Sequence, residues 1–201
     1  MFTPLNNTIK GVIEMTFPFV FISIVILISL RITYLIKTKT KFVIHKELFM
    51  LFFIIYVLCL FQVVTFKDVQ QGSSNFTLFS EILRYDFGSR LFIKNVLGNI
   101  LLFIPYGYFV SYYLKIKKPY LIIFLILICS ISIEGTQFYI GRIFDIDDIL
   151  LNLIGGIIGY FIYLLLDLIY NKLPKFLKKD LILNILSIII LIGFIYYIVR
   201  M

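Results

Sequence analysis

Six apolar runs, at about 12–36, 48–66, 95–114, 119–140, 148–170 and 181–199, constrain this 201-residue chain more than any motif in it. Each approaches the roughly 20 residues with which an α-helix crosses a hydrocarbon core, where every backbone polar group has to find its partner inside the segment. The expected architecture is therefore all-α, a polytopic transmembrane helix bundle of about six spans. Composition agrees: 61% of residues are hydrophobic and mean hydropathy is +1.03, whereas soluble domains carry about 45–50% apolar residues. No basic leader and no A-x-A cleavage pattern precedes the first run, which is read as a retained span.

The connections between runs alternate in charge. KTKTKFVIHKE after the first, KIKKP after the third and NKLPKFLKKD after the fifth together hold eleven lysines, and short lysine-rich loops stay cytoplasmic. Both termini, the 67–94 connection and the acidic 141–148 turn are then expected to be extracytoplasmic. These loops account for the +8 net charge, so membrane lipids are expected partners and nucleic acid is not. Cys59 and Cys129 lie inside apolar runs without ligand spacing, and the one histidine, His45, falls in a basic loop. Neither a disulfide framework nor a zinc site is indicated, and the position of His45 argues against a His-based metal site or triad near the acidic turn.

Against that background residues 131–160, ISIEGTQFYIGRIFDIDDILLNLIGGIIGY, set Glu134, Gln137, Arg142, Asp145, Asp147, Asp148 and Asn152 between two apolar runs. An unpaired carboxylate in hydrocarbon costs at least about 2.5 kcal/mol, so such groups face a bundle interior or an aqueous cavity and mark a site by default. Helical spacing puts Glu134 with Gln137, Asp145 with Asp148, and Asp148 with Asn152 on shared faces. Two readings of the aspartates stay open: they cap the following helix, or they line a pocket. Glu134 and Gln137, further inside an apolar helix, have no capping duty available.

Segment 67–94 is too polar to span, yet Leu78 with Ile82 and Phe79 with Leu83 recur at helical spacing. A short amphipathic or partly re-entrant helix along the outer surface is predicted, with Arg84, Arg90 and Lys94 at headgroup level. There they either snorkel or contact an anionic headgroup. The third run opens with Asn95 and Asn99 one turn apart and carries Pro105, which predicts a kink near Ile104. Gly155 and Gly159 fit the small-xxx-small spacing that lets membrane helices pack closely.

These residues resemble the VanZ family of bacterial membrane proteins. The resemblance lies in the run from Asn95 through Val, Leu and Gly to Asn99, Phe103, Pro105 and Gly107, and in Glu134-Gly-Thr-Gln137, Arg142, Asp145, Asp147-Asp148, Asn152 and Gly155-Gly156. It covers about residues 47–166. A third family element, an Asn-Leu-Ile-Pro-Phe-like segment, is matched loosely by Asn75-Phe-Thr-Leu78-Phe79, with leucine in the place of proline. The layout that follows has an N-terminal span and basic cytoplasmic loop at 1–46, a four-span VanZ-like core at 47–170 that includes 67–94, and a basic loop and last span at 171–201. The resemblance implies a multi-pass protein of the bacterial cell membrane, associated in the namesake with low-level resistance to the lipoglycopeptide teicoplanin. It supplies no biochemical mechanism.

Three function classes remain open on the residues. The first is a binding site at the outer leaflet for an anionic lipid-linked cell-wall intermediate, a lipoglycopeptide or another envelope ligand. Asn95, Asn99, Glu134, Gln137, Arg142, Asp145, Asp147, Asp148, Asn152, Arg84 and Arg90 would line it, and its functional face would be extracytoplasmic. Mg²⁺ or Ca²⁺ held by the carboxylates would reconcile them with a phosphate. The second is a metal-assisted phosphate-ester hydrolase or transferase with Glu134 and Asp148 as the catalytic candidates, for which the chain offers no P-loop and no His cluster. The third is a structural membrane partner whose polar residues hold helices together. A transporter is disfavoured, because the inner halves of the spans carry almost no polar groups.

Overall fold

The computed structural model describes residues 3–39, 41–65 and 74–200. Regular structure among them is helical: α1 (Thr3–Thr38), α2 (Ile44–Thr65), α3 (Ser80–Arg84), α4 (Arg90–Phe92), a π-turn (Ile93–Leu97), α5 (Gly98–Leu114), α6 (Pro119–Tyr139), α7 (Ile146–Lys172) and α8 (Asp180–Arg200). The predicted apolar runs coincide with α1, α2, α5, α6, α7 and α8. Five stretches are long and apolar enough to cross a membrane: Phe21–Thr38, Ile44–Gln62, Arg90–Leu114, Pro119–Tyr139 and Ile146–Lys172. The described apolar part of α8, Asp180–Gly193, is shorter.

Local chemistry sets the helix ends in the core. Pro119 opens α6 at its first turn, where a missing N–H removes no helical bond. At the other end of α6, Gly141 takes φ +86°, the left-handed conformation glycine adopts without strain. The Arg142 N–H then donates to Gln137 O at 2.9 Å and the Gly141 N–H to Phe138 O at 3.1 Å, the double bond of a Schellman turn. Helix α5 continues through Pro105. Of segment 67–94, in which a short helix is predicted, residues 67–73 lie outside the described residues; the remainder includes α3 and the short helix α4 that leads into the π-turn.

The chain divides into two compact units, one made of Met1–Gln62 with Tyr170–Met201 and the other of Val63–Ile169. In the first, Arg31 on α1 forks onto Glu47 on α2, Nε to Oε2 at 2.8 Å and Nη2 to Oε1 at 2.9 Å. In the second, α5 and α7 approach until their backbones touch. A Cβ on Gly107 would collide with the backbone of Gly156, one on Gly155 with the Ile100 carbonyl, and one on Gly159 with the Ile104 carbonyl. Association in lipid rests on such close packing, because lipid tails are as apolar as the side chains. Tyr160, buried midway along α7, donates its hydroxyl to Lys117 O at 2.9 Å and ties the α5–α6 turn to that helix.

Candidate functional site

The buried face of α6 changes character along its length. Ile122 and Ile126 are followed at helical spacing by Ser130, Glu134 and Gln137, all buried. Glu134 retains 1% of its surface and accepts from the Asp145 N–H at 3.2 Å. With the Gln137 amide assigned so that donors face acceptors, its nitrogen donates to Glu134 Oε1 at 3.0 Å and its oxygen accepts from Arg142 Nη1 at 2.6 Å. The Gly141 turn, which sequence reading passed over, folds Arg142 back beside Gln137. The Gln137 amide thus links the Arg142 guanidinium to Glu134.

The aspartates carry the network to a second element. Asp145 caps α7, its Oδ1 accepting the Asp147 N–H at 2.9 Å, and the same oxygen accepts from Asn75 Nδ2 at 3.0 Å. Asn75 also pairs by backbone with this turn, donating to Phe144 O at 2.9 Å and accepting from the Ile146 N–H at 3.2 Å. Its own Oδ1 takes the Thr77 N–H and hydroxyl, each at 3.0 Å. Asp147, with no exposed surface, accepts from the Phe79 N–H at 2.6 Å and the Ile82 N–H at 3.4 Å. These bonds hold the start of α3, where Phe79 sits at φ +67°, a left-handed position that is costly for a bulky side chain. Asp147 therefore fastens the 75–84 segment to α7.

A third strand of the network runs between α5, α6 and α7. Buried Asn99 donates its Nδ2 to Asp148 Oδ1, and buried Asn152 donates to Ser130 Oγ at 2.9 Å. Ser130 and Asn75 were absent from the candidate set. Ser130 was legible in principle, four residues before Glu134 on the same face; Asn75 stood out only as the start of the third family element, and its partner, 70 residues away, could not be read. Asn95 falls in the π-turn, whose wider winding changes its register with Asn99, and it is half-buried. Ser89 instead caps this helix, accepting the Phe92 N–H at 3.1 Å. Arg84 is exposed on the segment that Asp147 anchors, and Arg90 is exposed at the start of α4.

The arrangement consists of four carboxylates and one guanidinium from residues 131–160, oriented chiefly by neutral amide donors. Among the described residues no three His, Cys, Asp or Glu side chains converge as metal ligands would. Glu134 and Asp148, the catalytic candidates, belong to the same network, one beside Gln137 and the other beside Asn99.

No curated protein and no solved structure matches the chain. The VanZ/LLP1 family model matches residues 49–167, which take in α5, α6, α7 as far as Asp167 and the buried polar groups described above, and extend over more than half of the sequence. The polar face of α6, the aspartates that open α7 and the glycines that seat α7 against α5 thus lie within one family match, and the chain belongs to the VanZ/LLP1 family.

Proposed function

We propose that this membrane protein binds an anionic lipid-linked or cell-envelope ligand at the polar end of the 63–169 unit, on the outer leaflet, and through it contributes to glycopeptide or envelope-stress tolerance. The observation that carries the reading is Glu134, 1% exposed on a membrane-length helix and linked by Gln137 to a half-buried Arg142. Helix packing alone is already served by the glycines of α5 and α7, and an ionisable group inside a span is by default part of a site. In this reading Arg142 meets the anion, Gln137 and Glu134 fix the guanidinium, and Arg84 and Arg90 add charge at the rim. The lysine bias of the opposite loops supports an extracytoplasmic position for the 141–148 turn.

The test uses the full chain in nanodiscs of neutral lipid with a polyprenyl phosphate as probe, bound lipid being counted by native mass spectrometry. Arg142→Gln is expected to lower retention about tenfold, the loss of one charge-assisted contact. Equal retention by the variant and the parent, at equal thermal stability, would leave helix cohesion as the role of the network.

A further inference from the structure

We infer that the two lysine-rich turns of the other unit form one binding surface for anionic phospholipid headgroups, a site independent of the one around Glu134. The α1–α2 turn supplies Lys39, Lys41 and Lys46, and the α7–α8 turn supplies Lys172, Lys175 and Lys179, all exposed. Far apart in sequence, the turns are brought together by specific bonds. The His45 N–H donates to Asn184 Oδ1 at 2.9 Å across 139 residues, and the His45 ring Nδ1 lies 2.9 Å from the same oxygen. Lys46 Nζ sits 4.0 Å from Asp180 Oδ1. The side chain of α8 therefore caps the first turn of α2, and the two basic turns are held as neighbours rather than left as separate loops.

Charge at this end is unbalanced. Glu47 is engaged by the Arg31 fork, and Asp180 faces Lys46, so the acids are already occupied while the lysines stand in excess. Lys178 is held back, donating to Asn171 O at 2.9 Å and lying 5.3 Å from the Tyr170 ring centroid, which leaves its neighbours to face outward. Each turn also exposes one phenylalanine among its lysines, Phe42 in the first and Phe176 in the second. Lysine offers a mobile point charge for a phosphodiester, and an exposed ring beside it suits the start of an acyl chain. A soluble phosphate would use the lysines and leave the rings in water. A lipid uses both, and lysine bias assigns this end to the cytoplasmic leaflet, where anionic lipid is met.

The experiment takes the full chain in neutral detergent and offers phosphatidylglycerol and phosphatidylcholine of one chain length in equal amounts, reading retained lipid by native mass spectrometry. Phosphatidylglycerol is expected to be retained over phosphatidylcholine by about tenfold or more. The triple change Lys39→Gln, Lys41→Gln, Lys175→Gln removes that preference. The charge-matched triple Lys115→Gln, Lys117→Gln, Lys118→Gln at the α5–α6 turn keeps it. Both triples change exposed side chains alone, and matched melting confirms that each variant is folded. Equal loss in the two triples would overturn the proposal in favour of undirected charge. Displacement of the lipid by equimolar glycerol 3-phosphate would overturn it in favour of a soluble phosphate, and displacement by a short RNA in favour of nucleic acid.

Discussion

Glu47 and Glu134 both sit on membrane-length helices of this protein, and they are held in opposite ways. Glu47, in the first turn of α2, takes both bonds from the Arg31 guanidinium, so its charge is cancelled where it stands. Glu134 takes a backbone N–H and an amide, neutral donors that orient its carboxyl, and meets Arg142 through Gln137. A direct fork is the simplest polar link between one membrane helix and the next. The longer arrangement around Glu134 contributes something packing does not need: a buried carboxyl and a guanidinium kept in register beside one another.

The comparison breaks first at the glycines. Gly107→Ala places a methyl group on the backbone of Gly156, and the helices must separate to accept it. An expected loss of about 3 kcal/mol, the upper part of the usual overpacking range, should lower the melting temperature in detergent and reduce the amount of inserted protein. A variant that melts with the parent would show that α5 and α7 do not rely on this contact.

Next comes Asp147→Ala, which strips the Phe79 and Ile82 N–H groups of their acceptor. Removing a charged acceptor from backbone donors costs about 2 kcal/mol, and the loss should be local. Amide exchange over residues 79–84 is expected to rise well above that of α6 and α7. Uniform exchange across the unit would contradict an anchoring role for this aspartate.

The smallest effect is expected at the clasp. The side chains of Arg31 and Glu47 remain 35% and 16% exposed, so the pair is screened, and the double change Arg31→Met, Glu47→Leu should shift stability by less than about 1 kcal/mol. A loss of the size set by Gly107→Ala would mean that the fork holds the unit as firmly as the glycines hold the other.

Much of this layout could be read from the sequence, and the parts that could not have a common cause. Helical periodicity and hydropathy gave the apolar runs, and i, i+3 spacing placed Glu134 beside Gln137, because both signals are local. The small-xxx-small spacing of Gly155 and Gly159 likewise found the seat of α7 against α5, though not its contact on Gly107. Asn75 with Asp145, Arg31 with Glu47 and His45 with Asn184 are pairings between distant segments, which no local pattern encodes. The Gly141 turn was visible as a Gly-Arg pair after an apolar helix, but only the backbone conformation reveals that it returns Arg142 to Gln137. The π-turn at Ile93–Leu97 has no compositional mark and changed the register assumed for Asn95 and Asn99.

The measurement closest to the central claim compares the two carboxylates directly. Glu134→Gln and Glu47→Gln each keep the shape of the side chain and replace its carboxyl by an amide. Both would be expressed from one promoter in a bacterial strain lacking the gene, quantified in membranes, melted in detergent and scored for teicoplanin and envelope-stress tolerance against the null strain. At matched abundance Glu134→Gln is expected to fall to the level of the null, while Glu47→Gln stays with the parent. Full tolerance in Glu134→Gln, or equal loss in both, would contradict the distinction and make the buried network a device for helix cohesion.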